Sequence, residues 1–297
     1  MSENQKSVFI VLVNYNGMKD TEECILSIQE NHYESAHVVV VENASSDTPD
    51  IQNLERFPHT HVIVNSQNYG FAIANNIGID YALLHKADYI LLLNNDTVVE
   101  DSFIETMVSV AEDQKLQVLT CNIKYYSDKE KDWYAGGFFD WKNGYGVHYT
   151  DGRLNKPLNR VNFITGCCIM CKAEIFAKYK LPTEYFMYFE DSDFCLQLVH
   201  NSVDLYYTPS TRIYHKVSAS AGVESPFFVY YWNRNRTILL KKYKSFLGEA
   251  YFLLLVKLLV TRVVKSLLYC CKKDMVRNSS MWKGIKDGLK YSQDAME

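Results

Sequence analysis

The first hundred residues alternate short, unbroken apolar runs with amphipathic stretches. Val8–Val13, His37–Val41, His61–Val64 and Tyr89–Leu93 are rich in β-branched or leucine side chains and lack polar alternation. That pattern predicts strands buried on both faces. Between them, Asp20–Gln29 places Cys24, Ile25 and Ile28 on one helical face, Phe71–Leu84 places Ile73, Ile77 and Leu84 similarly, and Asp101–Ala111 predicts a third helix. Strands alternating with helices predict an α/β domain with a mostly parallel central sheet flanked by helices. Further on, Asn162–Lys172 and Thr211–His215 read as strands and Phe194–His200 as a helix. Residues 125–149 carry nine aromatic side chains interspersed with Gly136, Gly137, Gly144 and Gly146, which suits either an aromatic-packed hairpin or a surface for sugar rings.

Toward the C-terminus the pattern changes. Residues 250–271 are apolar but broken by Lys257, Arg262 and Lys265 at helical spacing. Three cations on one stripe are costly at a bilayer centre, so the expectation is an amphipathic helix lying on a membrane surface, the alternative being a helix packed on the preceding domain or a partner. Charge sharpens the division. Residues 241–297 hold 12 Lys/Arg against 5 Asp/Glu, whereas the whole chain of 297 residues carries a formal charge of −4. An acidic body therefore bears a basic tail, and the expected organisation is a domain over 1–243 and a basic amphipathic helical tail over 244–297. An acidic body argues against nucleic acid as a partner. The eight cysteines lack the spacing of a disulfide framework or a second zinc pair after Cys167, Cys168 and Cys171, so they read as reduced and mostly buried thiols. No secretion signal precedes Val8, which makes sequons such as Asn43-Ala44-Ser45 chance matches and a cytoplasmic location, peripheral on the membrane face, the expectation.

In parallel sheets ligands bind beyond the carboxyl ends of the strands. There the sequence offers Asn14-Tyr15-Asn16-Gly17, Glu42-Asn43-Ala44-Ser45-Ser46-Asp47, Asn65-Ser66-Gln67-Asn68-Tyr69-Gly70-Phe71 and Asn94-Asn95-Asp96-Thr97. Turns and caps account for about half of these residues. Asp96, at the rim of a buried strand, is where a hard cation and phosphate oxygens would be held. A second constellation is Glu190-Asp191-Ser192-Asp193 after the aromatic run Tyr185–Phe189. A helix cap needs only one of its three acids, and mutual repulsion raises the proton affinity of at least one, as a general base toward a hydroxyl requires. His215 closes a strand. Ser218-Ala219-Ser220-Ala221-Gly222 has the look of a nucleophile elbow without its first glycine or its strand–turn–helix setting, and reads as a loop. The chain has no Walker A sequence, no G-x-G-x-x-G and no H-E-x-x-H.

Taken in order, these blocks resemble the family-2 glycosyltransferases of the GT-A fold, in particular their bacterial rhamnosyltransferase-like branch. The resemblance spans about residues 7–243 and rests on Val11–Asn16, Val40–Asp47, Asn68–Ala72 with Asn75–Gly78, Leu92–Thr97 and Phe186–Asp193. It implies nucleotide binding by Asn14, Tyr15, Glu42, Asn68, Gly70, Phe71, Asn75 and Asn95, with Glu42 standing where the family usually has Asp. The D-x-D metal motif falls on Asn94-Asn95-Asp96, leaving Asp96 as its single carboxylate, and His215 matches a later metal-binding histidine. Asp191 is implied as the base, with Glu190 and Asp193 shaping its surroundings. Arg234 and Arg236 match a segment near the donor or acceptor phosphate.

The expected function is therefore inverting, Mg²⁺- or Mn²⁺-dependent transfer of a sugar from a UDP-, dTDP- or GDP-linked donor. The expected acceptor is a saccharide or lipid-linked saccharide in surface polysaccharide synthesis. The competing expectation is a non-catalytic nucleotide-sugar-binding or assembly subunit of the same fold, for which Asn94 is the main support. Nucleotidyl transfer is disfavoured because Asn14-Tyr15-Asn16-Gly17 lacks a glycine-rich, arginine-containing loop.

Overall fold

The computed structural model describes residues 5–46, 50–217 and 225–292; Asp47 and the expected loop Ser218–Gly222 lie outside them. The chain divides into two compact units. Unit 1 takes Met1–Phe138, Gly146–Phe186 and Glu190–Val217, and unit 2 takes Phe139–Tyr145, Met187–Phe189 and Ser218–Glu297.

Unit 1 is built on the strands that the apolar runs predict. β1 (Val8–Asn14), β2 (Ala36–Glu42), β3 (Thr60–Val64) and β4 (Tyr89–Asn94) lie side by side in the order β3-β2-β1-β4, all parallel. Val8, Ile10, Val11 and Leu12 of β1 are fully shielded, as expected of a central strand covered on both faces. Helices α1 (Met18–Gln29) and α2 (Gly70–Leu84) and a 3₁₀ turn at Ile51–Arg56 connect them. Gly78 of α2 passes so close to β1 that an added Cβ would stand 2.4 Å from Val11.

The rest of the unit widens the sheet. β5 (Thr97–Val99), α3 (Phe103–Asp113), β6 (Val118–Tyr125) and β7 (Asp128–Tyr134) follow; the separate two-stranded hairpin of β8 (Gly137–Asp140) and β9 (Tyr145–His148) has its Phe139–Tyr145 segment in unit 2. β10 (Asn159–Val161), β11 (Cys168–Lys172), α4 (Ala173–Lys178), α5 (Glu190–His200) and β12 (Leu205–His215) complete it. β11 runs antiparallel between β4 and β6, and β12 lies parallel to β6, so β3, β2, β1, β4, β6 and β12 all point one way. The sheet is thus mixed but mostly parallel.

Three boundaries differ from expectation by more than two residues. The strand expected over Asn162–Lys172 pairs only from Cys168, because a turn closed by Cys168 N–H to the Thr165 carbonyl (3.3 Å) precedes it. The strand expected at Thr211 starts at Leu205, with a register shift between Thr208 and Arg212. The helix expected at Phe194 starts at Glu190, which brings all three acids into its first turn, where the helix dipole favours them.

Unit 2 holds α6 (Pro226–Lys242), α7 (Lys244–Leu247), α8 (Ala250–Cys271) and α9 (Met275–Lys290). Pro226 at the first helical position and the Ser225 hydroxyl, which accepts from Phe228 N–H at 3.1 Å, start α6. α9 packs tightly on α6 through glycines: a Cβ at Gly284 would meet the Tyr230 carbonyl oxygen at 2.4 Å and one at Gly288 the Thr237 side chain at 2.7 Å. Val229, Tyr269, Met281 and Ile285 form the small core. The amphipathic helix expected over 250–271 is present as α8, but its cations sit otherwise than expected. Lys257 donates to the Lys142 carbonyl (3.0 Å) and Arg262 is half-buried, while the apolar row Leu253, Val256, Val260, Val263, Val264 and Leu267 is exposed. Basic residues lie instead beyond the ends of α8, at exposed Lys244, Lys272 and Lys273.

Candidate active site

Strand register brings the polar blocks together. Asn14 pairs with Glu42, Glu42 with Val64 and Val13 with Asn94, so the residues after β1, β2, β3 and β4 crowd one edge of the parallel sheet. Asn14 itself is fully buried. It donates from Nδ2 to Glu42 Oε2, while its Oδ1 accepts from the Thr21 hydroxyl (2.9 Å) and from Asn95 Nδ2 (3.4 Å). Glu42 Oε1 accepts from Ser45 N–H at 2.5 Å, and Asn95 also donates to Thr21 Oγ1 at 2.9 Å. Asn14, Glu42 and Asn95 thus form one braced layer that holds the loops, with Tyr15 exposed above it. A buried polar network of this kind fixes geometry because each member is satisfied.

A second asparagine network braces the start of α2. Asn43 Nδ2 donates to Asn68 Oδ1 (2.8 Å) and to the Gly70 carbonyl (3.3 Å), and its Oδ1 accepts from Asn65 Nδ2 (3.1 Å) and from Tyr69 N–H (3.0 Å). Asn68 Oδ1 also accepts from Gly70 N–H at 2.9 Å. Gly70 has φ +81°, and a Cβ there would lie 2.2 Å from the Phe186 carbonyl oxygen, so only glycine fits. Phe71 N–H donates to that same carbonyl at 2.7 Å. Asn75 is buried and caps a turn of its own helix by donating to the Phe71 carbonyl (2.9 Å).

The acidic cluster resolves into three different carboxylates. Asp193 is fully buried, accepting from the Tyr185 hydroxyl (2.9 Å) and from Gln197 Nε2 (3.3 Å). Glu190 is 6% exposed and its Oε2 has no partner; burial first, and the charge of Asp191 second, push its carboxyl well above the usual range. Asp191 is half-buried. Its Oδ2 accepts from Gly166 N–H (3.0 Å) and its Oδ1 from Ser192 N–H (2.6 Å) and hydroxyl (3.2 Å). Burial raises its proton affinity, and those backbone donors pull against the rise.

Asp96 and His215, distant in sequence, meet where β12 pairs with β5. His215 Nε2 lies 3.1 Å from Asp96 Oδ1, and its Nδ1 is buried without a partner. The Trp133 ring stands edge-on at 4.6 Å, Lys216 N–H donates to the Asp96 carbonyl (2.9 Å), and Lys216 Nζ reaches Asp20 and Glu23, each at 2.6 Å. An imidazole nitrogen and a carboxylate oxygen are donor types that could hold a divalent cation. Among the described residues no group of three His, Cys, Asp or Glu could hold a metal, so the remaining coordination would have to come from ligand oxygens and water.

The glycosyl transferase family 2 model matches residues 9–180, more than half of the chain. The chain belongs to that family. A relative, the dTDP-rhamnosyl transferase RfbF of Shigella flexneri, is 24% identical over 301 residues, covering 96% of this chain and 99% of that protein. The low-salt glycan biosynthesis hexosyltransferase Agl10 of Haloferax volcanii is 24% identical over 76% of this chain and 73% of its own length. Among solved structures, GalNAc-T7 with UDP, GalNAc and Mn²⁺ shares the fold at a TM-score of 0.65 and 16% identity, over 81% of this chain and 49% of that one. S. aureus TarS 1-349 in complex with UDP does so at a TM-score of 0.57 and 16% identity, over 79% of this chain and 65% of that one. The fold is of the GT-A type.

As a family 2 glycosyltransferase, the chain shows features that its residue pattern alone did not single out. Asn43 is the hub of the second network, Ser45 and Asn16 clamp the first (Asn16 N–H to Ser45 Oγ, 2.7 Å), and the Gly166 amide aims Asp191. Asn16, Asn43 and Ser45 lie in the polar motifs after β1 and β2, with side chains to notice; a backbone N–H such as that of Gly166 leaves no mark in a sequence.

Proposed function

We propose that this glycosyltransferase inverts the anomeric centre, with Asp191 as the base, and that the nucleotide part of the donor lies against the edge formed by Asn14, Tyr15, Glu42, Asn68, Gly70, Phe71, Asn75 and Asn95. Supporting this reading most directly is Asp191 itself, half-buried, aimed by the Gly166 amide and kept more basic than an exposed carboxylate. The acceptor hydroxyl oxygen attacks the anomeric carbon, its proton passes to Asp191, and the bond from that carbon to the diphosphate oxygen breaks. Glu190, holding its proton in a buried site, and Asp193, tied to Tyr185, are positioning residues for α5. Asp96 and His215 are the residues that would hold Mg²⁺ or Mn²⁺. The cation, when bound, neutralises charge developing on the departing nucleoside diphosphate.

The full-length similarity to a dTDP-rhamnosyl transferase makes dTDP the first nucleotide to test, ahead of UDP and GDP. A saccharide or lipid-linked saccharide of a surface polysaccharide is the acceptor class. We assign the chemistry to residues 1–243 and surface attachment to 244–297. The exposed apolar row of α8, flanked by Lys244, Lys272 and Lys273, fits an anionic cytoplasmic membrane face. No helix among the described residues is long and apolar enough to cross a membrane.

Asp191→Asn keeps the shape and, through its amide oxygen, one of the two backbone N–H contacts, but cannot take a proton. It is expected to abolish transfer while the thermal shift produced by nucleoside diphosphate and Mn²⁺ persists. Turnover in Asp191→Asn near that of the intact chain would overturn the assignment. A chain that binds nucleotide yet shows no turnover with any donor would point to an assembly subunit, the reading to which Asn94 lends its weight.

A further inference from the structure

The backbone that leads into the candidate base is held in a conformation its residues disfavour. Tyr188 has φ +70° and Phe189 φ +75°, two consecutive non-glycine residues in the left-handed region. Each Cβ crowds the following carbonyl there, so such a pair persists only where its surroundings over-determine it. Phe189 also directly precedes α5, at the position where a helix is ordinarily capped by Ser, Thr, Asp or Asn, and its ring offers no acceptor. The local sequence therefore does not favour this entry into the helix.

The holding contacts come from α6. Asn235 is fully buried, and its Nδ2 donates to the Met187 carbonyl (2.8 Å) and to the Tyr188 carbonyl (2.9 Å), while its Oδ1 accepts from Arg234 Nη1 (2.7 Å). Carbonyls only accept and a guanidinium only donates, so the amide has one orientation and directs both N–H groups at the left-handed segment. The Phe189 ring stands 5.0 Å from that of Trp232, and the Tyr188 ring 5.2 Å from that of Phe228, three and seven residues before Asn235 and so on the same face of α6. Asparagine is a poor residue for a helix interior, and a buried amide is tolerated only when its hydrogen bonds are made. Here they are made to the one segment that needs restraint.

We propose that Asn235 is a positioning residue for Asp191. By clamping the Met187 and Tyr188 carbonyls it keeps Tyr188 and Phe189 left-handed, which fixes how the next two residues, Glu190 and Asp191, enter α5. Asp191 can then accept from the Gly166 and Ser192 amides. That Asp191 is the base rests on the glycosyltransferase reading above; the action of the clamp on the backbone does not.

The test compares the full intact chain with Asn235→Ala, and with Asn235→Ala carrying Tyr188→Gly, by hydrogen exchange and by turnover. Asn235→Ala removes both donors. Exchange is expected to quicken several-fold over residues 187–192 and at the Gly166 amide, and to stay unchanged in β1, β2 and β4. Glycine at 188 has no Cβ to drive it out of the left-handed region, so the double variant is expected to regain part of the lost protection. Asn235→Ser, with one donor in place of two, should fall between and serves if the alanine variant does not fold. Turnover is followed as release of dTDP, with dTDP-rhamnose as the probe donor. In Asn235→Ala kcat is expected to fall by about tenfold or more with KM within about twofold, because the reacting geometry and not donor binding is lost, and to recover in part in the double variant.

Exchange over 190–192 and at Gly166 as slow in Asn235→Ala as in the intact chain, or a double variant no better than the single one, would overturn the proposal. So would protection lost throughout the chain, since Asn235 would then hold the fold and not the base, and so would quickened exchange with undiminished turnover. An intact chain that releases no dTDP would count against the reading of the donor and leave the exchange result to decide whether Asn235 positions Asp191.

Discussion

At the scale of single residues, the site depends on a few positions with no freedom to change. Gly70 is one: its positive φ and its approach to the Phe186 carbonyl both exclude a Cβ. Gly70→Ala should therefore lower stability by more than ~1 kcal/mol, measured by urea denaturation, and weaken nucleotide binding. Glu190 shows the opposite economy, a carboxyl buried with one oxygen unpaired. Its folded-state proton affinity exceeds the unfolded one, so it destabilises progressively as pH rises above the unfolded value, about 4.5 for a free glutamate. Glu190→Gln is accordingly expected to raise the melting temperature at pH 8 and to lose that advantage toward pH 5; a gain independent of pH would contradict it. Asp96 and Asp191 stood out as candidates because short polar motifs follow apolar runs, and His215 because it matches a family position; its approach to Asp96 could not be read from the chain. Nor could the separate fates of Glu190, Asp191 and Asp193, because burial and the Gly166 amide distinguish them and a string of acids carries neither.

At the scale of elements, the four parallel strands could be read to within about one residue, since a double-sided burial demands an unbroken apolar run. β5 and β10, three residues each, fall below what such a run can signal. The start of α5 was misplaced for a physical reason: its first turn holds three acids, which the helix dipole favours there but which break the apolar pattern by which a helix is read. Helix α8 carries the membrane proposal. Val260→Glu with Val263→Glu should release the full chain from phosphatidylglycerol vesicles while shifting stability by less than about 0.5 kcal/mol, since both side chains are exposed; vesicle binding undiminished in sedimentation would remove the proposal. Gly284 marks the opposite face of the problem. Any larger residue there must push α9 off the Tyr230 carbonyl, so Gly284→Leu is expected to cost about 1–3 kcal/mol in denaturant unfolding.

At the scale of the whole molecule, acid sensitivity follows from a half-buried imidazole. His148 is held to about 4 by burial, among Trp133, Tyr134 and Phe163, with its Nδ1–H donating to the Trp133 carbonyl at 3.2 Å. A histidine depressed in the folded state leaves the unfolded chain binding the extra proton. Stability is then lost as pH falls below the unfolded value near 6.5, by roughly 1 kcal/mol at about pH 5.5 from this residue alone. His148→Asn should flatten the melting temperature between pH 7.5 and pH 5.5, which scanning calorimetry would show. The pairing of Asp96 with His215 carries a consequence of another kind. A ribosome delivers the chain from its N-terminus, so β1 to β4 and the Asp96 carboxylate emerge long before β12 brings the imidazole beside it. Completion of that pair is thus a late event of translation. The exposed apolar row of α8 leaves the ribosome later still, so it is presented to the cell only after the strands of the sheet have all emerged.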